Sequence, residues 1–326
     1  MADIFVKYMG LKLSSPIVAA SSGLTSKIEK IVEFEKAGVG AVVLKSLFEE
    51  QIAGNAEYLD SISADFPEAA NYIHHYVREN SIENYLSLIR ETKKRISVPV
   101  IASINCYTKG EWLGYAKEIT TAGADALELN IYSMPLDIRE SSTDIEMRYL
   151  KIIGEVVKSV SIPVAVKISS DFTNLPGFVD KLKGYGAKGV VLFNKFYAPD
   201  VDIEKFEITS SDPLSTKDSY LKELRWIGII SSLVPGVDLS ASTGVHNGET
   251  AIKEILAGAT TVQVCTALYK GGADVIADMN KEIATFIDRK GFKSVIDIKG
   301  ELSYSKISDP GKFERVQFMK TFGGKE

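Results

Sequence analysis

The feature that most constrains this chain is a repeated unit, in which a short apolar run is followed by a polar loop and a helix-period segment. Eight runs rich in Val, Ile, Leu and Ala recur, at residues 17–20, 41–45, 98–105, 126–130, 164–168, 190–194, 237–243 and 261–266. Continuous apolar runs are typical of parallel strands covered on both faces. Eight of them alternating with helices predict an α/β fold, a closed TIM (β/α)8 barrel, with an open doubly wound sheet as the alternative.

The two ends of the chain flank this repeat. Residues 4–8 and 11–13 surround Met9-Gly10, which predicts an N-terminal β-hairpin that closes the bottom of the barrel. A length of 326 residues suits one large barrel. We predict a single domain over residues 1–326, with a hairpin cap at 1–15, the barrel at 16–290 and a C-terminal extension at 291–326.

Composition excludes several classes of protein. The net charge is -5, from 38 basic and 43 acidic side chains, and no basic run suggests nucleic acid as a partner. The longest apolar stretches are strand-sized, which argues against a membrane protein, and the first ten residues do not resemble a secretory signal. Two cysteines form neither a disulfide framework nor a metal cluster. A cytoplasmic location and the absence of a metal site are the prediction.

Three connections are long, at residues 48–80, 131–145 and 195–216, and each joins a strand to the following helix. In a barrel such insertions share the C-terminal face, where active sites lie; surface decoration is the alternative. Strands also end there in polar residues, namely Lys45, Ser103, Asn105, Asn130, Lys167 and Asn194. A partly dehydrated lysine needs an electron-rich partner, although a single one could instead extend to solvent.

The last two strands predict a phosphate site. The seventh ends in Thr243, Gly244 and Val245, and the eighth in Cys265 and Thr266. Backbone N–H groups in these two turns can bind a dianion, and this is the usual phosphate position in such barrels. With two lysines directed to the same space, the sequence predicts a phosphorylated cofactor.

These segments, taken in order, resemble the dihydroorotate dehydrogenases over roughly residues 4–290. The matching segments are Ser21-Ser22-Gly23, Val43-Leu44-Lys45-Ser46, Leu127-Glu128-Leu129-Asn130, Val166-Lys167 and residues 257–268. The resemblance implies FMN as cofactor and the oxidation of dihydroorotate to orotate in pyrimidine biosynthesis, by proton abstraction and hydride transfer to the flavin.

The resemblance also implies roles for individual residues. Ser133 falls at the position of the catalytic base, and Lys45 bridges flavin and the substrate carboxylate. The substrate-binding set is Lys45, Asn71, Asn130 and Asn194. The cofactor-binding set is Ser21, Ser22, Lys45, Ser46, Ser103, Asn105, Asn130, Lys167, Thr243, Gly244, Val245, Cys265 and Thr266. A soluble electron acceptor, such as fumarate or a partner electron-transfer subunit, and a homodimer are also expected.

The chain departs from the family pattern around the substrate. No asparagine follows Pro135, Met134 is unexpected, Lys195 follows Asn194 where the family has serine or threonine, and Cys265 replaces a glycine. A site that hydrogen-bonds a ring discriminates by leaving polar groups unpaired with the wrong ligand. Two alternatives therefore remain open: a flavin enzyme acting on another cyclic amide or enone, and a catalytically silent FMN-binding paralogue.

Overall fold

A computed structural model describes residues 2–48, 82–105, 111–195 and 198–314. Its strands are β1 (Val6–Tyr8), β2 (Leu11–Leu13), β3 (Ile17–Ala19), β4 (Ala41–Val43), β5 (Leu47–Phe48), β6 (Val100–Asn105), β7 (Ala126–Asn130), β8 (Val164–Ile168), β9 (Gly189–Leu192), β10 (Pro199–Asp202), β11 (Glu207–Ser210), β12 (Asp238–Ser242) and β13 (Thr261–Val264). Its helices are α1 (Ile28–Lys36), α2 (82–95), α3 (Glu111–Ala122), α4 (Ser142–Ser159), α5 (Leu175–Gly184), α6 (Tyr220–Leu233), α7 (Gly248–Ala257), α8 (Thr266–Gly271), α9 (Asp274–Lys290) and α10 (Val295–Ile298).

Eight parallel strands close into a ring, which confirms the predicted TIM barrel and excludes the open sheet. The ring runs β3, β4, β6, β7, β8, β9, β12, β13 and back to β3. The short β5 adds to the end of β6. Every residue of β4, β7 and β8 is buried, as expected for strands packed inside against the barrel core and outside against helices.

The N-terminal hairpin lies against the bottom of the barrel, as predicted. Strands β1 and β2 pair antiparallel, and the Met9 N–H donates to Asp238 Oδ2 (2.7 Å) at the start of β12. A Cβ placed on Gly189, the first residue of β9, would come within 2.9 Å of the Tyr8 hydroxyl. Tyr8 therefore plugs the N-terminal end of the barrel, and the opposite end is left to bind ligands.

The long strand-to-helix connections lie on that opposite face. Residues 131–141 after β7 contain no helix or strand, whereas the connection after β9 contains an antiparallel hairpin of β10 and β11. Sequence analysis did not foresee that hairpin. Most of the connection after β4 lies outside the described residues, and Asn71 lies there with it.

The segment after Gly291 packs on the outer helices, although its sequence shows no useful periodicity. Asp3 forms a parallel bridge with Ser294, the Gly300 N–H donates to Ile255 O (2.9 Å), and the Tyr304 N–H donates to Gly228 O (3.0 Å). Both ends of the described chain are thus attached to the barrel. None of the helices in the described segments combines the length and apolar character needed to cross a membrane.

Two buried carboxyl groups face each other between α6 and α7. Among the described residues, Glu223 Oε2 and both carboxyl oxygens of Glu254 lack a hydrogen-bond partner. Burial raises the pKa of Glu223 to about 7. Burial, and then the charge of Glu223, raise the pKa of Glu254 well above its ordinary value. The folded protein therefore favours the protonated form of both groups.

This pair predicts that the free energy of unfolding falls as pH rises. Folding raises the pKa of both carboxyl groups. Their contribution to the free energy of unfolding is therefore fully present below about pH 4.5, and the part due to Glu223 is lost as pH rises through about 7. Urea unfolding at pH 5, 6.5 and 8 should show this fall, and Glu223→Gln and Glu254→Gln should each reduce it. Glu249→Gln, an exposed position on α7 paired with Lys253, is the matched control. Parallel curves for the parent and both buried-site variants would contradict this assignment.

Candidate functional site

A cleft at the C-terminal face collects side chains from strands far apart in sequence. Of the predicted site residues, its lining contains Ser21, Lys167, Asn194, Thr243, Gly244, Val245, Cys265 and Thr266. These follow or end β3, β8, β9, β12 and β13, which meet because all barrel strands point the same way. The lining also includes Ser242, Gln263 and Ser215, to which sequence analysis gave no role.

A row of hydroxyl groups extends from this cleft past the end of β4 to β6. Ser21 Oγ lies 3.1 Å from Ser46 Oγ, which lies 2.8 Å from Ser103 Oγ. The Tyr85 hydroxyl accepts from the Ser103 N–H (2.8 Å) and donates to Ser103 O (3.0 Å), so α2 fixes the end of the row. Ser22 instead caps the short 3-10 helix that follows, where its Oγ accepts from the Leu24 N–H.

Two predicted substrate residues are joined to each other. Asn194 Nδ2 donates to Asn130 Oδ1 at 2.9 Å. This bond leaves the Asn130 amide donors and the Asn194 carbonyl oxygen available side by side. A neighbouring donor and acceptor match the N–H and C=O edge of a cyclic amide.

Lys45 and Asn105 lie on the same face, at the ends of β4 and β6, but line neither this cleft nor the Ser133 depression described below. Lys45 is half-buried, and its ammonium group has no hydrogen-bond or ion-pair partner among the described residues. A half-buried cation of this kind favours an anionic ligand.

The floor of the cleft contains a buried cation. Lys167 is 7% exposed, and its Nζ donates to Gln263 Oε1 at 3.1 Å. Gln263 Nε2 in turn donates to Glu128 Oε2 at 2.6 Å. Burial raises the pKa of Glu128, and the charge of Lys167 and the bond from Gln263 oppose that rise. Lys167 keeps two further N–H donors, which can serve a ligand in the cleft.

The turn after β12 has the backbone of an anion site. Thr243 and Gly244 both have positive φ, 84° and 79°, and the Thr243 hydroxyl donates to Phe193 O (3.1 Å). A Cβ on Gly244 would lie 2.3 Å from the Tyr220 backbone nitrogen, so glycine is required there. Within the described chain, the N–H groups of Gly244 and Val245 donate to no protein acceptor, which leaves them for a phosphate.

The other side of this turn is formed by polar groups from two loops. The Ser215 N–H and hydroxyl both donate to Thr266 Oγ1 at 3.0 Å, and Ser215 Oγ lies 3.0 Å from His246 Nε2. Burial, then the charges of Lys270 and Lys217, lower the pKa of His246. Burial raises the pKa of the Cys265 thiol, which Lys167 and Ser22 only partly offset. These groups form a fixed polar wall, and the thiol is not activated as a nucleophile.

Ser133 lies apart from the main cleft, in a depression shared with Tyr132, Tyr149 and Asp171. Its backbone is held by Tyr149, whose hydroxyl accepts from the Ser133 N–H (2.8 Å) and donates to Ser133 O (3.2 Å). The Ser133 hydroxyl itself has no protein partner among the described residues. No three His, Cys, Asp or Glu side chains in the described segments cluster as metal ligands.

Sequence analysis gave no role at the site to five polar residues that lie there: Glu128, Ser215, Ser242, His246 and Gln263. Glu128 and Gln263 carried a signal, because a charged or amide side chain inside an apolar strand must find a buried partner. Ser215 and His246 carried none, since loop serines and histidines have many other uses.

Comparison with known proteins identifies the family of this chain. The sequence model of the family described as dihydroorotate dehydrogenase matches residues 4–287. The chain is 26% identical to the dihydroorotate dehydrogenase B (NAD(+)) catalytic subunit of Thermoplasma volcanium, over 92% of this chain and 98% of that protein. It is 27% identical to the protein of the same name from Thermoplasma acidophilum, with 92% and 99% covered. A third, from Methanosarcina acetivorans, is 24% identical, with 91% and 95% covered. The family match over most of the chain, at low identity to the named relatives, shows that this chain is a divergent member of the dihydroorotate dehydrogenase family.

Proposed function

We propose that this protein is an FMN-dependent oxidoreductase that oxidises dihydroorotate to orotate. The observation that carries the proposal is the buried Lys167 at the floor of a cleft whose far end offers free backbone donors at Gly244 and Val245. A buried cation beside an anion-binding turn fits a ligand with a phosphate at one end and a charge-accepting ring at the other. When bound, FMN would supply a hydride acceptor at that ring.

The donor set suits this cofactor. The N–H groups of Gly244 and Val245, with Thr266 and Ser215 beside them, would hold the phosphate. Lys167 would donate to the ring, where its charge stabilises negative charge that develops on reduction. The hydroxyl of Ser21 lies at the cleft edge and is itself fixed by Ser46.

The substrate-side residues suit a ring that carries amide groups and a carboxylate. The free donors of Asn130 and the free oxygen of Asn194 can bind the amide edge, and their mutual bond fixes both side chains. Lys45, half-buried and without a partner among the described residues, would bind the carboxylate. Asn71 remains a predicted substrate ligand.

Ser133 would take the proton from the substrate carbon. A serine hydroxyl is a weak base unless its own proton can pass onward. Tyr149 holds the Ser133 backbone, and Asp171 lies in the same depression, which opens to solvent as the route for that proton.

One observation favours a second substrate. Ser133 lies in a depression beside the cleft, and the loop that follows it exposes Met134, Leu136 and Ile138. A different cyclic amide or enone would then be oxidised or reduced on the same cofactor, and a protein that only binds FMN is the remaining alternative.

We propose that electrons pass from the flavin to the acceptor through another protein. The two Thermoplasma relatives are each named as the catalytic subunit of dihydroorotate dehydrogenase B (NAD(+)), whereas a relative from Aeropyrum pernix is named as putative dihydroorotate dehydrogenase A (fumarate). In this chain the loops after β7 and β9 expose Leu136, Ile138 and Phe206 at 83%, 100% and 96%. Exposed apolar side chains grouped on one face fit a protein contact. The homodimer and the cytoplasmic location stay predictions.

Purified protein should be yellow, release FMN on denaturation, and bleach when dihydroorotate is added without oxygen. Lys167→Ala should slow the bleaching roughly 100-fold, because it removes a preorganised charge beside the reacting ring. Lys188→Ala, an exposed lysine at the other end of the barrel, is the control. Colourless protein that takes up no FMN would refute the cofactor, and yellow protein that dihydroorotate does not bleach would select the second substrate or the silent binder.

Ser133→Ala should keep FMN bound but slow bleaching by dihydroorotate roughly 100-fold, the usual effect of losing a general base. Ser133→Cys should retain more activity than Ser133→Ala, since a thiolate can accept the proton. Ser142 lies in the same depression, and Ser142→Ala should bleach at the rate of the parent protein. Stopped-flow absorbance measures all three, and a Ser133→Ala rate equal to that of Ser142→Ala would remove Ser133 as the base.

A further inference from the structure

Three buried polar side chains are linked by hydrogen bonds in one row across the barrel. Glu128 on β7, Gln263 on β13 and Lys167 on β8 are 1%, 3% and 7% exposed. The ammonium and the carboxylate do not form an ion pair within 4.0 Å, because the Gln263 amide lies between them and bonds to both.

Hydrogen-bond chemistry fixes which group donates and which accepts at each step of this row. An ammonium group only donates, so the Gln263 oxygen must face Lys167. The Gln263 Nε2 then faces Glu128, whose Oε2 must accept. The order is therefore set by donor and acceptor types, and it does not depend on how the amide atoms were assigned.

The charge of the Glu128 carboxylate attracts the Lys167 ammonium group away from the cleft. Glu128 Oε1 has no partner among the described residues, and the groups that face the carboxyl are Lys167, Tyr8 and Tyr85. Two opposite charges in a poorly hydrated interior attract strongly. Without a spacer, the flexible lysine side chain would move towards the unsatisfied oxygen.

We propose that Gln263 is a positioning residue, a neutral spacer that keeps Lys167 Nζ at the cleft and prevents it from pairing directly with Glu128. Glu128 is the counter-charge that limits how strongly Lys167 attracts electrons to the cofactor ring. This inference rests on the proposed function only where it concerns the ring; the position of Lys167 can be tested without any cofactor.

Crystal structures of cofactor-free Gln263→Ala and of Gln263→Ala/Glu128→Gln test the position. In the single variant Lys167 Nζ should lie within about 4 Å of a Glu128 oxygen, the distance of an ion pair. In the double variant it should return towards the cleft, because the carboxylate is gone. Lys167 unmoved in the single variant, or equally displaced in both, would overturn the spacer role.

The reduction potential of the bound flavin tests the charge. Gln263→Ala should shift the reduced-to-oxidised ratio about tenfold towards oxidised, or ~30 mV for a two-electron couple, and Glu128→Gln about tenfold towards reduced. The reduction potential of the double variant should lie above that of Gln263→Ala. Loss of packing alone would not give this rescue. If Gln263→Ala fails to fold, the isosteric Glu128→Gln still decides: an unchanged or lowered potential would contradict the inference. A parent protein that binds no flavin would refute the proposed function alone, because the crystallographic test stands without it.

Discussion

The closed ring of parallel backbone hydrogen bonds is the constraint on which the rest of this molecule depends. Because β13 pairs with β3, every barrel strand has a hydrogen-bonded neighbour on each side, and all eight run in the same direction. The carboxyl ends of strands that lie far apart in sequence then meet above one core. The hairpin of β1 and β2 blocks the other end. A single face is left for chemistry, and the long connections lie on it.

Within that face, burial decides what each polar group can do. Lys167 is buried, so its positive charge must be stabilised by the protein. The amide of Gln263 and the charge of Glu128 do this. The turn at Thr243 and Gly244 leaves N–H groups without acceptors in the described protein, which is tolerated where an anion binds. The two regions share one cleft, so they favour a single ligand that carries both a phosphate and an electron-accepting ring.

Sequence patterns predicted the barrel because its strands are buried on both faces and read as uninterrupted apolar runs. The run at 164–168 coincides with β8, whereas the run at 98–105 begins two residues before β6, because its second residue, Pro99, has no N–H to pair. The hairpin of β10 and β11 was missed because its residues are largely exposed on both faces, so burial imposes no alternation on them.

The site was predictable in its strand-end residues and not in its cross-barrel contacts. Lys167 and Asn194 could be placed because barrel geometry alone directs strand ends to one face. The bond from Gln263 to Glu128 joins residues 135 apart and depends on side-chain reach inside the ring, which no periodicity encodes. The clamp of Tyr149 on Ser133 likewise depends on how α4 packs.

A crystal structure of the protein grown with FMN would test the central claim most directly. We predict phosphate density about 3 Å from the N–H groups of Gly244 and Val245, and the ring within hydrogen-bond distance of Lys167 Nζ. Density for the cofactor elsewhere on the molecule, or a phosphate at this turn with Lys167 directed away from the ring, would contradict it.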